Sequence, residues 1–290
     1  MPGTRDEIVG LQALDAAERA QVRDLLARCN TAERLDLKVE IASVARGSDE
    51  DTYSIFLARQ GGMLAGICML DGGREIELCG CVHPDYRRRG IGRALLAAAC
   101  AEAQRRQATK LLLICEDGSR SGQGFIATLE AVREFAEHRM ELDLVAEGVP
   151  VVTGTLTLRP ATSSDQPAIA HITALAFSRD EESERQRLAA DMEGSTERFF
   201  LALHGSVPVG TLKIVEEPPR ALIYGFAVLP AYQGQGYGRE ILRRMLRLLS
   251  AEGWTRIGLE VETENARAYH LYTTTGFRPI TTYGYFALSL

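Results

Sequence analysis

The chain has 290 residues, of which 46% are hydrophobic and 25% charged, and a formal net charge of −6. This is the composition of an ordinary globular protein with room for two domains of typical size. The negative charge argues against nonspecific binding to nucleic acid. No run reaches the ~18 apolar residues that a membrane-spanning helix needs, and residues 1–14 have no apolar signal segment. We therefore expect a cytoplasmic protein with no nucleic-acid and no membrane partner.

The cysteines also indicate a reducing compartment. All six lie in the first half of the chain, mostly within apolar stretches and without a Cys-x-x-Cys pair. This pattern is typical of reduced packing cysteines rather than of disulfides or a zinc site. Cys79 and Cys81 share one face of a predicted strand, but we predict no metal site.

An internal repeat organises the sequence. Residues 81–92, CVHPDYRRRGIG, correspond to residues 227–238, AVLPAYQGQGYG, at an offset of 146 residues. Upstream, the Phe-Leu-Ala of residues 56–58 recurs at residues 200–202, at an offset of 144. The chain is therefore predicted to be two copies of one domain-sized unit, too long for a solenoid repeat.

The change of offset locates a length difference between the copies. We predict one short difference, in the hairpin at residues 72–73 of the first copy and 218–219 of the second. Glycine and proline punctuate residues 147–154, where we place the boundary. The predicted domains are residues 1–148 and 153–290.

Both copies follow one plan of helices and strands, which predicts an α/β (α+β) fold class. The first copy has a helix at 16–29, strands at 53–59, 63–70 and 75–82, a helix at 90–107, and a continuously apolar strand at 110–115. The second copy has a strand at 155–159, helices within 165–177 and 181–192, strands at 199–204, 207–215 and 221–229, a helix at 236–252, a strand at 256–262, a helix at 265–274, and strands at 277–283 and 285–290.

A glycine loop follows the third hairpin-connected strand of each copy. The strand leads into Pro-x-Tyr, then into (Gln/Arg)-x-x-Gly-x-Gly, and then into an amphipathic helix. Glycines let the backbone approach a ligand, and the amides and dipole at a helix start favour an anion such as a pyrophosphate. A plain turn is the alternative. Neither loop has the arrangement of a Rossmann dinucleotide site.

The longer pattern Val-x-Pro-x-Tyr-(Arg/Gln)-x-x-Gly-x-Gly resembles the acetyl-CoA pyrophosphate loop of the GNAT superfamily of N-acetyltransferases. Residues 259–277 also carry that superfamily's ending, L-E-V…N…A…L-Y-x-x-x-G-F. The resemblance implies two tandem GNAT-like domains, each a mixed central sheet flanked by helices. It also implies acetyl-CoA as the cofactor and direct transfer of the acetyl group to an amine.

The resemblance further implies which residues bind acetyl-CoA. The strand before the loop would pair with the pantetheine chain, a backbone amide near Val228 would polarise the thioester, and the loop amides would hold the diphosphate. Asn265 is explained equally well as a helix N-cap. The implied residues are Phe226, Ala227, Val228, Leu229, Gln233, Gly234, Gln235, Gly236, Tyr237, Gly238, Arg239 and Asn265 in the second copy, and Val82, Arg87, Arg88, Arg89, Gly90, Ile91, Gly92 and Arg93 in the first.

Acetyl transfer to an amine needs a base for the ammonium and an acid for the departing thiolate. The resemblance assigns the base to Glu260 and the acid to Tyr272. Strand alternation points Glu260 away from the apolar face, where a solvated carboxylate is the alternative. Tyr272 shares a helix face with Ala268 and Leu271, where a core tyrosine is the alternative.

The first copy departs from this pattern. The offset of 146 places Ile114 and Ile126 opposite the two proposed proton-transfer groups, which predicts a catalytically degenerate domain. The arginine-rich loop survives there, so ligand binding is compatible with the absence of the usual chemistry. Glu75 and Glu77 on the preceding strand offer an alternative base.

Three functions fit these observations. The first is a tandem N-acetyltransferase with its active site in residues 153–290. The second is an enzyme active in both halves, and the third is an acyl-CoA sensor or scaffold without turnover. The acceptor is an amine on a small molecule, a polyamine, an aminoglycoside, a protein N-terminus or a lysine. Tyr224, Tyr283 and Tyr285 either line its pocket or pack within strands.

Overall fold

The computed structural model describes residues 7–39, 53–192 and 197–290. The chain divides into two compact units. Unit 1 comprises Met1–Glu137 and Thr281–Leu290, and unit 2 comprises His138–Ile280. Unit 2 thus begins before residues 147–154, where the boundary is predicted, and the last ten residues of the chain return to unit 1.

Unit 1 is a mixed sheet with helices on both faces. Its elements are β1 (Glu7–Leu11), α1 (Ala16–Glu33), β2 (Ile55–Gln60), β3 (Met63–Gly72), β4 (Glu75–Val82), α2 (Ile91–Arg105), β5 (Lys110–Glu116), α3 (Arg120–Ile126), the start of β6 (Val132–Asp143) and most of β12 (Arg278–Ser289). The strands β1 to β5 lie in chain order, with β12 beside β5. β4 and β5 are parallel, and β12 is antiparallel to β5. One apolar core involves α1, and a second involves α2.

The C-terminal strand lies beside β5 in unit 1. β12 pairs with β5 without interruption from Tyr283 to Ser289. The two strands predicted at residues 277–283 and 285–290 are therefore one strand. Gly284, which falls between the two predicted strands, pairs with Cys115 within the continuous ladder.

Two tyrosines anchor this strand inside unit 1. Tyr283 and Tyr285 are 0% and 1% exposed. The Tyr283 hydroxyl donates to the Asp36 carbonyl, and the Tyr285 ring stacks on Phe135 with centroids 4.2 Å apart. Both tyrosines therefore pack in unit 1 and do not line a pocket of the second copy.

Unit 2 has the same plan. Its elements are the end of β6, α4 (Leu144–Glu147), β7 (Thr157–Pro160), α5 (Gln166–Phe177), α6 (Glu181–Met192), β8 (Arg198–His204), β9 (Val207–Glu217), β10 (Arg220–Val228), α7 (Tyr237–Ala251), β11 (Arg256–Glu262) and α8 (Ala266–Thr273). Its strands follow the order β6-β11-β10-β9-β8-β7, with β10 and β11 parallel. Among the described residues, no helix has the length and apolar character to cross a membrane.

Helix α7 shows why these residues form this fold. Its apolar positions recur at helical spacing, and its arginines cover the opposite face, as the sequence predicts. Once folded, the apolar positions are fully buried against the sheet, where they form the centre of the larger core of unit 2 together with α8. These residues, all 0% exposed, are Ile241, Leu242, Met245, Leu246 and Leu249. A second core on the other face of the sheet is covered by α5 and α6.

The two-residue change of offset between the copies is divided between two places. Gly72 faces Ile76 across the β3–β4 hairpin, whereas Glu216 faces Ala221 across the β9–β10 hairpin, which is one residue longer. The other residue is accommodated in a β-bulge of β10 after Tyr224. The β3–β4 ladder is continuous at the corresponding place. The prediction of a single difference in the hairpin is therefore wrong in part.

Candidate active site

A gap opens in the sheet of unit 2 between its two parallel strands. β10 and β11 pair from Arg220 opposite Arg256 to Ile223 opposite Leu259, the last pair of their ladder. β10 continues to Val228, so its backbone beyond Ile223 borders the gap. An extended chain with amide groups can hydrogen bond to such a strand edge. The gap therefore has the form needed to hold a pantetheine chain.

The β-bulge lies along this gap. The register between β10 and β9 shifts between Tyr224 and Ala227, and Gly225 has φ +57°. A bulge leaves a residue outside the ladder and re-aims the local backbone. The ring centroid of Phe226, within the bulge, lies 6.4 Å from that of Tyr272. The bulge thus brings re-aimed backbone and the predicted acid to one end of the gap.

The glycine loop fixes the start of α7. The Gln233 side-chain amide donates to the Val228 carbonyl at 2.9 Å. Gly234 and Gly236 have φ +76° and +88°, a region that favours glycine. Gly236 is the N-cap of α7, and no side chain of the described residues caps this helix. Its first amides and its dipole are therefore available to an anion.

Two arginines lie beside this loop. The Arg267 guanidinium donates to the Gln233 side-chain oxygen at 3.0 Å, and Arg239 donates to the Thr274 hydroxyl at 3.2 Å. Arg267 was not predicted as a site residue, although its place in the first turn of α8 was a usable signal. Asn265 caps α8 by accepting a backbone N–H at 3.0 Å. The N-cap interpretation of Asn265 is confirmed, and its contact with CoA stays a prediction.

The remaining predicted ligands of the second copy lie around the same loop. The Tyr237 hydroxyl is 3.3 Å from His204 Nδ1, and the Gln235 side chain donates to a carbonyl within the loop at 2.9 Å. At Gly238 an added Cβ would lie 3.4 Å from a Leu271 methyl group and 3.8 Å from a Val228 methyl group, so this residue packs between α8 and β10. Ala227 is buried on the α5 face, and the Leu229 N–H donates to β9.

Tyr272 is a core residue at the end of the gap. Its side chain is 7% exposed, and its ring lies 6.0 Å from that of Phe277, centroid to centroid. Burial raises the pKa of the Tyr272 hydroxyl above its ordinary value. The hydroxyl therefore keeps its proton throughout the physiological range, as a general acid must. Core packing and the predicted acid role are compatible.

Glu260 lies on the opposite face of the sheet. Its neighbours Leu259 and Val261 pack in the same core as Tyr272. Strand alternation therefore directs the half-buried Glu260 side chain to the face that α5 and α6 cover. The two predicted proton-transfer groups border the gap from opposite faces.

A polar row extends from Glu260 across this face. Lys213 of β9 pairs with Phe199 of β8 on one side and with Tyr224 of β10 on the other. Tyr224 and Glu260 each follow the last β10–β11 pair by one residue, so they lie at the same level. The Lys213 ammonium lies 3.0 Å from the Glu197 carboxylate. The matching row of unit 1 is apolar and consists of Ile55, Met69, Cys79 and Ile114.

Unit 1 contains a cavity of about 710 Å³ at the equivalent gap. The β4–β5 ladder ends at Leu78 opposite Leu113, and β4 continues beyond it. Gly90 is the uncapped N-cap of α2 with φ +89°, matching Gly236. The predicted ligands that line this cavity are Val82, Arg87, Arg88, Gly90, Ile91, Gly92 and Arg93. Arg89 is not among the lining residues, and its guanidinium lies 5.1 Å from the centroid of the Tyr86 ring.

Two carboxylates that the sequence did not reveal lie at or beside this cavity: Glu116 lines it, and Glu33 pairs with a lining arginine. Arg87 donates to the Val82 carbonyl at 3.1 Å and also pairs with Glu33. Burial acts to raise the pKa of Glu33, but hydrogen bonds from Ser121 and the charge of Arg87 outweigh it and lower that pKa. Glu75, by contrast, pairs with Lys110 at 3.3 Å, and neither proposed alternative base lines the cavity.

The part of the chain that the structure describes has no cluster of metal-ligating side chains. Residues 7–39, 53–192 and 197–290 contain no group of three or more His, Cys, Asp or Glu side chains that could hold a metal ion. The six cysteines are free thiols.

The chain belongs to the acetyltransferase (GNAT) family, whose model matches residues 19–129 and 144–277. One match falls in each repeat, so the predicted family and the tandem arrangement are confirmed. The mixed α/β fold class and the assignment as an N-acetyltransferase are likewise confirmed.

Relatives of known name cover nearly the whole chain. The mycothiol acetyltransferase of Clavibacter michiganensis subsp. michiganensis is 30% identical over an alignment 291 positions long, which covers 95% of this chain and 89% of that protein. The mycothiol acetyltransferase of Streptomyces griseus subsp. griseus is 28% identical and covers 92% of each. A solved tandem GNAT protein from the clavulanic acid biosynthesis pathway superposes with a TM-score of 0.73, at 22% identity and 98% coverage of both chains. That structural likeness concerns the fold alone.

Proposed function

We propose that this N-acetyltransferase moves the acetyl group of acetyl-CoA directly to the amine of a small-molecule acceptor, with its active site in unit 2. The observation that carries the proposal is the gap between β10 and β11, which the β-bulge borders along β10 and which Glu260 and Tyr272 border from opposite faces of the sheet. In unit 1 the ladder is continuous, and isoleucines replace both proton-transfer groups. We therefore propose that the N-terminal domain is catalytically degenerate.

The residues of unit 2 fit acetyl-CoA in charge and shape. The uncapped start of α7 behind Gly236 offers amides to the diphosphate, and Arg239 and Arg267 add positive charge. The free edge of β10 from Phe226 to Val228 offers backbone groups to the pantetheine amides. Acetyl-CoA supplies an activated thioester. The re-aimed backbone of the bulge would donate to the thioester oxygen as negative charge develops on it.

The two side chains then move the protons. Glu260, directly or through a water molecule, accepts a proton from the acceptor ammonium, which frees the nitrogen lone pair for attack on the carbonyl carbon. As the carbon–sulfur bond breaks, Tyr272 donates its hydroxyl proton to the departing thiolate. Burial keeps this hydroxyl protonated until that step. The positions of the two groups on opposite faces of the sheet separate the incoming amine from the leaving thiol.

A small-molecule acceptor is supported by the relatives. Proteins named mycothiol acetyltransferase match this chain over both repeats. The row of Lys213, Tyr224 and Glu260 provides polar groups to such an acceptor on the α5 face. We therefore propose an acceptor of the kind those enzymes act on, rather than a protein N-terminus or a lysine.

The test is CoA release from acetyl-CoA by the full chain across an amine panel that includes acceptors of mycothiol acetyltransferases, peptides and polyamines. We expect release with a small-molecule amine, and its loss in the Glu260→Gln, Tyr272→Phe double variant. Binding of acetyl-CoA without release by any amine would favour the sensor function. Persistent release by the double variant would place the chemistry elsewhere.

A further inference from the structure

The cavity of unit 1 differs from the gap of unit 2 at three positions that matter chemically. Four isoleucines line it: Ile91 begins α2 beside the glycine loop, and the other three have polar counterparts in unit 2. The pairs, from the two repeat offsets, are Ile67 with Thr211, Ile114 with Glu260, and Ile126 with Tyr272. Ile67 and Ile126 are 0% and 8% exposed, and Ile114 is half-buried. In unit 2 the Thr211 hydroxyl donates to the Phe200 carbonyl, and Glu260 and Tyr272 are the two groups proposed for chemistry. The first repeat has hydrocarbon at all three positions.

The apolar wall continues beyond these three residues. Leu35 and Leu37, which follow α1, line the cavity, and so do Cys68, Leu78 and Leu113 of the sheet. The whole cavity, including the space beside the glycine loop, has a volume of about 710 Å³, within the ~300–1,000 Å³ range of small-molecule pockets. An apolar wall of this extent is matched by an apolar ligand segment.

The other end of the same cavity has a net positive charge, because four arginines outnumber Glu116, which also lines the cavity, and Glu33, which pairs with Arg87. Arg87, Arg88, Arg93 and Arg120 line it beside the glycine loop. Their counterparts in unit 2 are Gln233, Gly234, Arg239 and Ala266, so three of the four positive charges are particular to unit 1. Arg88 adopts φ +62°, where unit 2 has a glycine, and so keeps its charge at some conformational cost. An anion at this end and hydrocarbon at the other define an amphipathic ligand.

The backbone of unit 1 is not arranged for transfer. The β3–β4 ladder is unbroken from Gly66 opposite Val82 to Gly72 opposite Ile76. A Cβ at Gly80 would lie 2.4 Å from the Ile67 carbonyl oxygen, which shows how closely the two strands pack there. No bulge therefore re-aims a backbone amide along this stretch, and the equivalents of Glu260 and Tyr272 cannot move protons.

We propose that the cavity of unit 1 binds an acyl-CoA whose acyl chain is longer than acetyl, and that it does so without transferring the chain. The arginines and the start of α2 would hold the diphosphate, and the isoleucine wall would hold the chain. This site goes beyond the proposed function. It shares with that function only the family's CoA ligand and requires no turnover in unit 2.

The experiment is a titration of the full chain carrying Gly236→Asp, which is designed to disable the CoA site of unit 2. The probes are acetyl-, butyryl-, hexanoyl- and octanoyl-CoA, measured by calorimetry. Transfer of a methylene group from water to an apolar site strengthens binding by about fourfold at most. We expect the Kd to fall at least ~10-fold from acetyl- to hexanoyl-CoA. Equal or weaker binding of the longer chains would overturn the proposal.

Variants locate the chain within the cavity. Ile114→Glu puts the carboxylate of unit 2 into the isoleucine wall and should remove the chain-length dependence, whereas Ile114→Ala should reduce it. Ile55→Ala is the matched control, because Ile55 is 1% exposed and does not line the cavity. If Ile114→Glu does not fold, the two alanine variants still test the proposal. An equal effect of Ile114→Ala and Ile55→Ala on the chain-length dependence would overturn the placement of the acyl chain in this cavity.

Turnover provides a separate readout. We expect no CoA release from hexanoyl-CoA in the Gly236→Asp chain with any amine. Release there would overturn the absence of transfer in unit 1. The proposed function fails by a different result, namely no CoA release from acetyl-CoA by the unmodified chain, and that result leaves the chain-length titration intact.

Discussion

Replacement of Tyr272 by phenylalanine tests the proposed acid with little disturbance of the core. The change removes one oxygen and keeps the ring beside Phe226 and Phe277, with centroids 6.4 and 6.0 Å away. Because this packing remains, the free energy of unfolding should change by less than about 1 kcal/mol. A general acid contributes roughly 10²–10⁴-fold to the rate. We expect kcat to fall by ~10²-fold or more, which is about 2.7 kcal/mol of activation free energy.

The assay is the initial rate of CoA release at saturating acetyl-CoA, with the acetyl-CoA Kd measured in parallel. The Kd should stay within about twofold, because the hydroxyl acts on the leaving thiolate and not on the bound ground state. Tyr269→Phe is the control, since Tyr269 is a half-buried tyrosine on the same helix with its ring 5.5 Å from that of His138. It should retain nearly full activity.

Two results would refute this reasoning. Full activity in Tyr272→Phe, with normal binding, would leave Tyr272 as a packing residue only. Equal losses in Tyr272→Phe and Tyr269→Phe would attribute the effect to α8 as a whole. If activity instead disappears on damage to Gly90 and Gly92, unit 1 holds the chemistry.

The base, the loop and the packing give three further predictions. Glu260→Gln should lower kcat/KM by ~10²-fold at neutral pH and recover partly at alkaline pH, where the amine is already deprotonated, whereas exposed Glu262→Gln should follow the unmodified pH profile. Gly236→Asp and Gly236→Asn impose similar backbone strain at φ +88°, so they differ mainly in charge. We expect acetyl-CoA to bind about tenfold or more weakly to Gly236→Asp than to Gly236→Asn, because the diphosphate repels the carboxylate. Equal binding of acetyl-CoA to the two variants would deny an anion site. Burial acts to raise the pKa of Glu102, but hydrogen bonds from Arg105 and Arg106, at the C-terminal end of α2, outweigh it and lower that pKa. The stabilisation by Glu102 is therefore present above the unfolded pKa near ~4.3 and is lost as the pH falls through the folded pKa. Chemical denaturation should therefore show Glu102→Gln destabilised by ~1–3 kcal/mol at pH 7 and by less below pH ~4, and a constant difference would contradict this.

Local patterns in the sequence predicted much of unit 2. The apolar spacing of α7 and the glycines at its start report only on their own neighbourhood, and both appear as predicted. The bulge was harder to predict from the sequence. Gly225 within a predicted strand is a signal for a bulge, but the change of offset alone did not separate it from the hairpin. The roles of Glu260 and Tyr272 stay predictions.

Two features depended on information that local patterns do not carry. The pairing of β12 with β5 joins residues more than a hundred positions apart, and strand propensity does not name a distant partner. The strand at residues 110–115 was predicted to be buried on both faces. Leu111, Leu112 and Leu113 are buried as predicted, but Leu113 and Ile114 also line the cavity. Hydrophobic periodicity cannot distinguish a residue that packs on protein from one that lines an apolar cavity.

The place of β12 in unit 1 has a consequence for synthesis of the chain on the ribosome. Residues 281–290 are translated only after all of unit 2, yet they pair with β5 and bury Tyr283 and Tyr285 within unit 1. Until then β5 presents an unpaired edge, which is a hazard for aggregation. The N-terminal domain therefore cannot finish folding first, although domains generally fold in the order of their synthesis. A stop codon a dozen residues early would damage the half of the protein made first.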